Sequence, residues 1–221
     1  MEMYNADGTR AEMCGNGIRC VGKYVYDHGL TDQTTITVAS FHKIKILDLT
    51  VENGKVTKVK VDMGQPVLSP EQIPVIAEGD QVVDERIEVD GKEYRMTCVS
   101  MGNPHAVVYL DDVEGLEIEK IGPSFESHIR FPKRVNTEFV KVIDRSHVQM
   151  RVWERGSGET LACGTGCCAT VVASVLGGWT DRSVTVKVFG GEILIEWDQA
   201  TGHVFMTGPA KTVFEGEYPW E

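Results

Sequence analysis

Cysteine followed by glycine, a polar residue and a second glycine occurs twice, as "CGNG" at 14–17 and as "CGTG" at 163–166. A glycine-rich loop that opens a helix aims several backbone N–H groups at one point and adds the positive end of the helix dipole. Such a place binds a carboxylate, and it lowers the pKa of a cysteine at its start from about 8.5 toward roughly 3.5–7.5. With one such loop on either side of a small carboxylate-bearing substrate, one thiolate takes a proton and the opposite thiol returns one. That arrangement inverts a stereocentre. Approach distances of about 3 to 3.5 Å to the reacting carbon place the sulfurs roughly 6 to 7 Å apart, out of disulfide contact while substrate is bound.

The elements that must hold these loops repeat as well. After the first comes a helical stretch, Ile18 to Asp27, closed by Gly29; after the second comes another, Cys167 to Leu176, closed by Gly177 and Gly178. Each then meets a β-rich run, "TTITVAS" or "SVTVKVF", followed by "KIKILDLTVENGKVTKVKVDMG" or "GEILIEWDQATGHVFMTG". Breaks at Asn53-Gly54 and Thr201-Gly202 are hairpin signals. The expected fold is therefore α+β: two pseudo-symmetric lobes, each an antiparallel sheet or open barrel around a central helix, with the site in the cleft between them. A βαβ series is not expected.

The lobe boundary falls between Gly64 and Glu93, where "GQPVLSPEQIPV" shifts the composition. This divides the chain into lobe one, 1–80, and lobe two, 81–221, with "EYRMTCVSMGNPHAVVYL" opening the second and a return of the C-terminal segment to lobe one left open. Thirteen residues precede Cys14, whereas about 70 separate Tyr94 from Cys163. If the duplication is complete, lobe one lacks its opening strands: either they lie upstream of Met1, the favoured reading, or lobe one is naturally reduced.

The chain has 221 residues, enough for a sizeable core, and 33 acidic against 22 Lys and Arg residues give a net charge of −11. That balance argues against nucleic acid as a partner; the short basic group Arg130, Lys133, Arg134 reads as a solvated loop. The opening residues do not form a signal peptide, and the weakly polar run from Thr170 to Trp179 is too short to span a bilayer. A cytoplasmic location is the default expectation, with no membrane partner. The six cysteines cluster in a way that suits reduced thiols rather than a disulfide framework. Cys20, Cys98, Cys167 and Cys168 read as packing residues. A zinc site from Cys14, Cys20, Cys163 and Cys167 lacks the usual Cys-x2-Cys spacing, so no metal is expected.

Four stretches, "NADGTRAEMCGNGIRC", "MGNPHAVV", "RVNTEFV" and "VWERGSGETLACGTG", resemble the motifs of the diaminopimelate epimerase family in order and spacing, over essentially the whole chain. The resemblance implies cofactor-independent interconversion of LL- and meso-diaminopimelate, with Cys14 and Cys163 as the two bases. It further implies that Gly15 and Asn16, with Gly164 and Thr165, hold the α-carboxylate and α-amino group. Asn5, Asn103 and Asn136 match substrate-contacting positions, and Glu154 and Arg155 match the pair that reads the distal end. An arginine there also suits the physics, because an acidic protein needs a local cation to accept two carboxylates. His105 and Glu154 match residues that assist the proton relay. A homodimer is implied on the same ground.

Family members carry a further N-terminal stretch with a Gly-Asn-Asp-Phe motif, which is not in this sequence. Rival readings are another two-cysteine isomerase of the proline or hydroxyproline racemase type, a redox or zinc-binding module, and a noncatalytic remnant. Asn16 and the Glu154-Arg155 pair favour the diaminopimelate reading over the first of these.

Overall fold

In the computed structural model, residues 1–4, 8, 14–40, 43–217 and 219 are described. Helix α1 (Gly15–Asp27) is followed by strands β1 (Thr35–Ser40), β2 (Lys43–Glu52) and β3 (Lys55–Gly64). Asn53 and Gly54 both take positive φ, 51° and 75°, and so form the two-residue turn between β2 and β3. Glu52 then pairs with Lys55. Asparagine and glycine adopt that conformation at the least steric cost, which explains why the hairpin was visible in the sequence.

Strands β4 (Glu85–Val89), β5 (Lys92–Ser100) and β6 (Pro104–Tyr109) follow, then helix α2 (Ile118–Glu126). Next come β7 (Asn136–Asp144), β8 (His147–Glu154), the short β9 (Gly158–Thr160) and helix α3 (Gly164–Leu176). The chain finishes with β10 (Ser183–Val188), β11 (Gly191–Trp197) and β12 (Val204–Pro209). The strands join in the order β1-β2-β3-β12-β11-β10-β8-β7-β6-β5-β4, with β9 on β8. Pairing of β12 with β3 ties the C-terminal strand to the first hairpin. The fold is mixed α+β.

Most neighbours are antiparallel, but β6 pairs with β7 and β8 with β10 in parallel. Each parallel pair is bridged by a helix, α2 in the first case and α3 in the second, because two parallel neighbours need a long crossover. Two βαβ units therefore sit inside a sheet that periodicity alone presents as hairpins. Helix α2 was not expected: it is nine residues long and contains Gly122 and Pro123, poor helix formers. A Cβ on Gly122 would fall 2.3 Å from the Trp153 ring, so tertiary packing, not propensity, holds this turn against β8.

Helices α1 and α3 share one core, which includes Ile18, Leu47, Val59, Val171, Ile195 and Met206. A second core lies between α2 and the strands β4 to β7, around Ile87, Met96, Phe125 and Phe139. Phe125 and Phe139 meet edge to face, with centroids 5.3 Å apart. Burial of the apolar faces on both sides of the sheet supplies the main favourable term of folding.

Candidate active site

Cys14 caps α1 and Cys163 caps α3, both with extended backbone (φ −132° and −116°). Their helices begin at nearly the same point in space. A Cβ placed on Gly15 would lie 3.3 Å from the Cα of Gly164, and one on Gly164 would lie 3.2 Å from the Cα of Gly15. Met206 of β12 closes the contact from below, with its Cε 2.9 Å from the first of those positions. Only glycine lets the two backbones approach so closely. Two helix N-termini, with first-turn amides that have no intrahelical partner and positive dipole ends, thus converge on one place.

The two caps differ. The Cys14 sulfur accepts the Gly17 N–H at 3.3 Å and is half-buried. Cys163 is buried, makes no capping bond, and lies 3.4 Å from the Thr165 hydroxyl. Burial raises the Cys163 thiol well above its ordinary range, and the Glu154 and Glu138 carboxylates push the same way. In the enclosed cap the sulfur is held as a thiol.

Asn16 links the two loops: its Nδ2 donates to the Ala162 carbonyl, one residue before Cys163, at 3.4 Å. Its Oδ1 in turn accepts from Arg19 at 3.0 Å. Arg19 is buried and also donates to the carbonyls of Gly15 (3.1 Å) and Pro209 (3.3 Å). Burial lowers its guanidinium, opposed by Cys20, Cys167, Cys14 and Cys168 around it. Sequence reading missed this cation. The available signal was its position four residues after Gly15, on the α1 face that carries Ile18 and Gly22 inward.

The parallel register of β6 and β7 sets His105 opposite Asn136, so the "GNPH" and "VNTEF" motifs meet although 31 positions separate them. Asn136 is buried, donates to the Pro104 carbonyl at 2.8 Å, and accepts the Arg155 backbone N–H at 2.9 Å. That bond fixes the turn after β8. Glu154 is partly buried and accepts a short hydrogen bond from the Thr160 hydroxyl. The Arg155 guanidinium donates to the Lys133 carbonyl at 3.2 Å. His105 is fully buried, between Glu138 (Nδ1 to Oε1, 2.7 Å) and Asn103 (Nε2 to Oδ1, 3.0 Å). Asn5 lies outside the described residues.

Convergence brings Cys14, Gly15, Asn16, Cys163, Gly164 and Thr165 to one locus at the two helix starts. His105, Asn103, Asn136, Glu154 and Arg155 form an adjoining network on β6 to β8. Among the described residues, no group of three or more His, Cys, Asp or Glu side chains is placed to hold a metal. No helix among them is long and apolar enough to cross a membrane. All six cysteines are free. Cys98, Cys167 and Cys168 are buried as expected of packing residues, but Cys20 is exposed, because it falls on the solvent side of α1.

A sequence model of the family described as Diaminopimelate epimerase matches residues 1–69 and 97–213. The chain belongs to the diaminopimelate epimerase family. A diaminopimelate epimerase of Methanococcus maripaludis is 59% identical over 217 residues, which cover 98% of this chain and 78% of that one. The corresponding protein of Acetivibrio thermocellus is also 59% identical over 217 residues, with the same coverage. This identity makes the chain an isomerase of the epimerase class.

Among solved structures, a hydroxyproline epimerase from Agrobacterium vitis superposes with a TM-score of 0.69 at 14% identity, over 93% of this chain and 65% of that one. A phenazine biosynthesis protein of the PhzF family from Enterococcus faecalis superposes with a TM-score of 0.66 at 14% identity, covering 99% and 77%. At such identity the likeness is one of fold. The family match, not this fold, separates the epimerase family of this chain from its racemase-type neighbours.

Proposed function

We propose that the chain interconverts LL- and meso-diaminopimelate by acid–base exchange between two cysteines, Cys14 and Cys163. The observation that carries this reading is the meeting of two cysteine-capped helix N-termini at Gly15 and Gly164. A substrate α-carboxylate set against the first amides of α1 and α3 would have its charge met by both dipoles. The α-carbon then lies between the two sulfurs.

In one direction Cys14, as thiolate, takes the α-proton: the Cα–H bond breaks and an S–H bond forms. The electron pair left on carbon is delocalised into the adjacent carboxylate. Cys163 then gives its thiol proton to the opposite face, so its S–H bond breaks as the new Cα–H bond forms. The exchange leaves the substrate inverted and the two cysteines with their roles reversed. The enclosed, thiol-favouring surroundings of Cys163 support its part as the initial acid. Glu154 and His105 assist the relay in this reading. Asn5, Asn103, Asn136 and Arg155 hold the substrate, Arg155 at its distal end.

A division into lobes at 1–80 and 81–221, on the ground of the sequence repeat, a homodimer, on the ground of family resemblance, and a cytoplasmic location, as the default for this composition, complete the reading. A sedimentation measurement decides the second of these.

The central test is to incubate LL-diaminopimelate in D2O. Deuterium should enter at one α-carbon as the meso form appears, read by mass spectrometry. Cys14→Ala and Cys163→Ala should each abolish turnover. Either variant retaining wild-type turnover would sink the two-base assignment.

A further inference from the structure

Glu138 occupies the best-buried acidic position described, and nothing in the two-cysteine mechanism uses it. Neither it nor His105 has any exposed side chain. The two meet at 2.7 Å through His105 Nδ1 and Glu138 Oε1, while Glu138 Oε2 has no hydrogen-bond partner among the described residues. A buried carboxylate with one oxygen unpaired is costly to keep unless its charge is compensated nearby. The carboxylate presses against the first turn of α3, since a Cβ on Gly166 would lie 2.6 Å from Glu138 Oε1 and 3.2 Å from the Cys163 Cβ. Gly166 is therefore a glycine because Glu138 and Cys163 share the space in front of it.

The register explains how the carboxylate arrives there. His105 pairs with Asn136, so Glu138, two residues on, lies on the same face of the sheet as His105 and Asn136. Helix α3 packs on both β6 and β7. The titratable groups that face the carboxylate are His105 from β6, Glu154 from β8, and Cys163 and Cys167 from α3, with Cys98 of β5 within electrostatic reach. Burial raises Glu138 itself, and His105, by charge and hydrogen bond, opposes that rise. Burial foremost, then the charge of Glu154 and then that of Glu138, disfavour ionisation of Cys163.

We propose that Glu138 is a positioning residue for the reaction: it orients the His105 ring through Nδ1 and, against the first turn of α3, holds Cys163 as the proton-bearing member of the pair. The role rests on the two-cysteine reading above. By fixing Nδ1 toward the carboxylate, Glu138 leaves Nε2 as the ring nitrogen facing Asn103. By its charge it keeps a proton on the sulfur that must donate one.

Glu138→Gln tests this, because the amide keeps the size and can still accept from Nδ1 but carries no charge. The rate of alkylation of Cys163 by iodoacetamide, read on its peptide by mass spectrometry between pH 6 and 11, reports the thiolate without requiring activity. In the variant the alkylation midpoint should move to lower pH by about one unit, the scale of one close charge. The basic limb of kcat should move with it, and kcat should fall about tenfold or more while KM stays within about threefold. A variant with the wild-type alkylation midpoint and the wild-type basic limb overturns the proposal. So does a loss of kcat with an unmoved pH profile.

Should the glutamine variant fail to fold, Glu138→Asp decides, since it keeps the charge and removes one methylene. Its alkylation midpoint should stay near that of the wild type while kcat falls, and a midpoint that moves to lower pH despite the retained charge overturns the proposal. If Cys14→Ala or Cys163→Ala retained turnover, the two-cysteine reading would fall. The alkylation measurement on protein with Cys163 intact would still judge Glu138 separately.

Discussion

Helices α1 and α3 carry the same cysteine cap and the same Gly-x-Gly start, yet they live in different surroundings. Only Gly15, Ile18, Arg19 and Gly22 of α1 are buried, whereas α3 is buried continuously from Gly164 to Ser174. The reason lies in what each helix covers. Helix α1 rests on β2 and β3, leaving an outer face in water, while α3 packs on strands from β5 to β7 and β10 to β12. A repeat in sequence thus yields two unequal acid–base positions. One sulfur sits half-exposed on a backbone amide and the other is enclosed beside two carboxylates. The proposed exchange needs a base on one side and an acid on the other, and under that proposal this inequality would serve the first half of the reaction in one direction.

The largest structural effect on this pair of caps is expected where they touch. Gly15→Ala or Gly164→Ala would set a Cβ against Met206 and the facing helix start. Each should destabilise the fold by about 1–3 kcal/mol, the usual range for overpacking, seen as a lower denaturant midpoint together with a fall in kcat. Gly15→Ala combined with Met206→Ala should cost less than the sum of the two single losses, because the closest clash is with the end of that side chain. Unchanged stability in both glycine variants would mean that the helices do not converge as described.

The next effect separates the enclosed cap from solvent by pH. Burial keeps the thiols of Cys163, Cys98, Cys167 and Cys168 protonated beyond their ordinary range. Below about pH 8.5 both folded and unfolded chains hold these protons, so their contribution to stability is complete. Above it the unfolded chain releases protons that the folded chain retains, and stability falls as pH rises toward the folded pKa. Cys163→Ala should flatten this alkaline decline by up to about 1.4 kcal/mol per pH unit, measured by urea unfolding between pH 8 and 10. A variant with the wild-type slope would show that Cys163 is not enclosed.

The smallest effect belongs to the outer face of α1. Cys20→Ser, at an exposed position, should change stability by less than about 0.5 kcal/mol. A loss comparable with that of a core substitution would mean that this face of α1 is covered.

Sequence reading located the two cysteine caps, the helices behind them and the Asn53-Gly54 hairpin, all of which rest on local rules: cap chemistry, hydrophobic period and turn conformation. Helix α2 escaped notice because Gly122 and Pro123 hide it from propensity, and only the Trp153 contact explains it. Glu138 and Arg19 escaped for a related reason. Each is an ordinary charged residue in its own segment, and each matters through partners on other elements, His105 and Cys163 in one case, Asn16 and Pro209 in the other.

The sequence by itself determined which groups are available for chemistry: two sulfurs at helix starts, each followed by a Gly-x-Gly first turn. Tertiary structure alone decided that the two starts meet at Gly15 and Gly164, and that one sulfur is half-exposed while the other is buried. Burial and charge are sums over neighbours distant in the chain, and a repeated motif does not specify those neighbours.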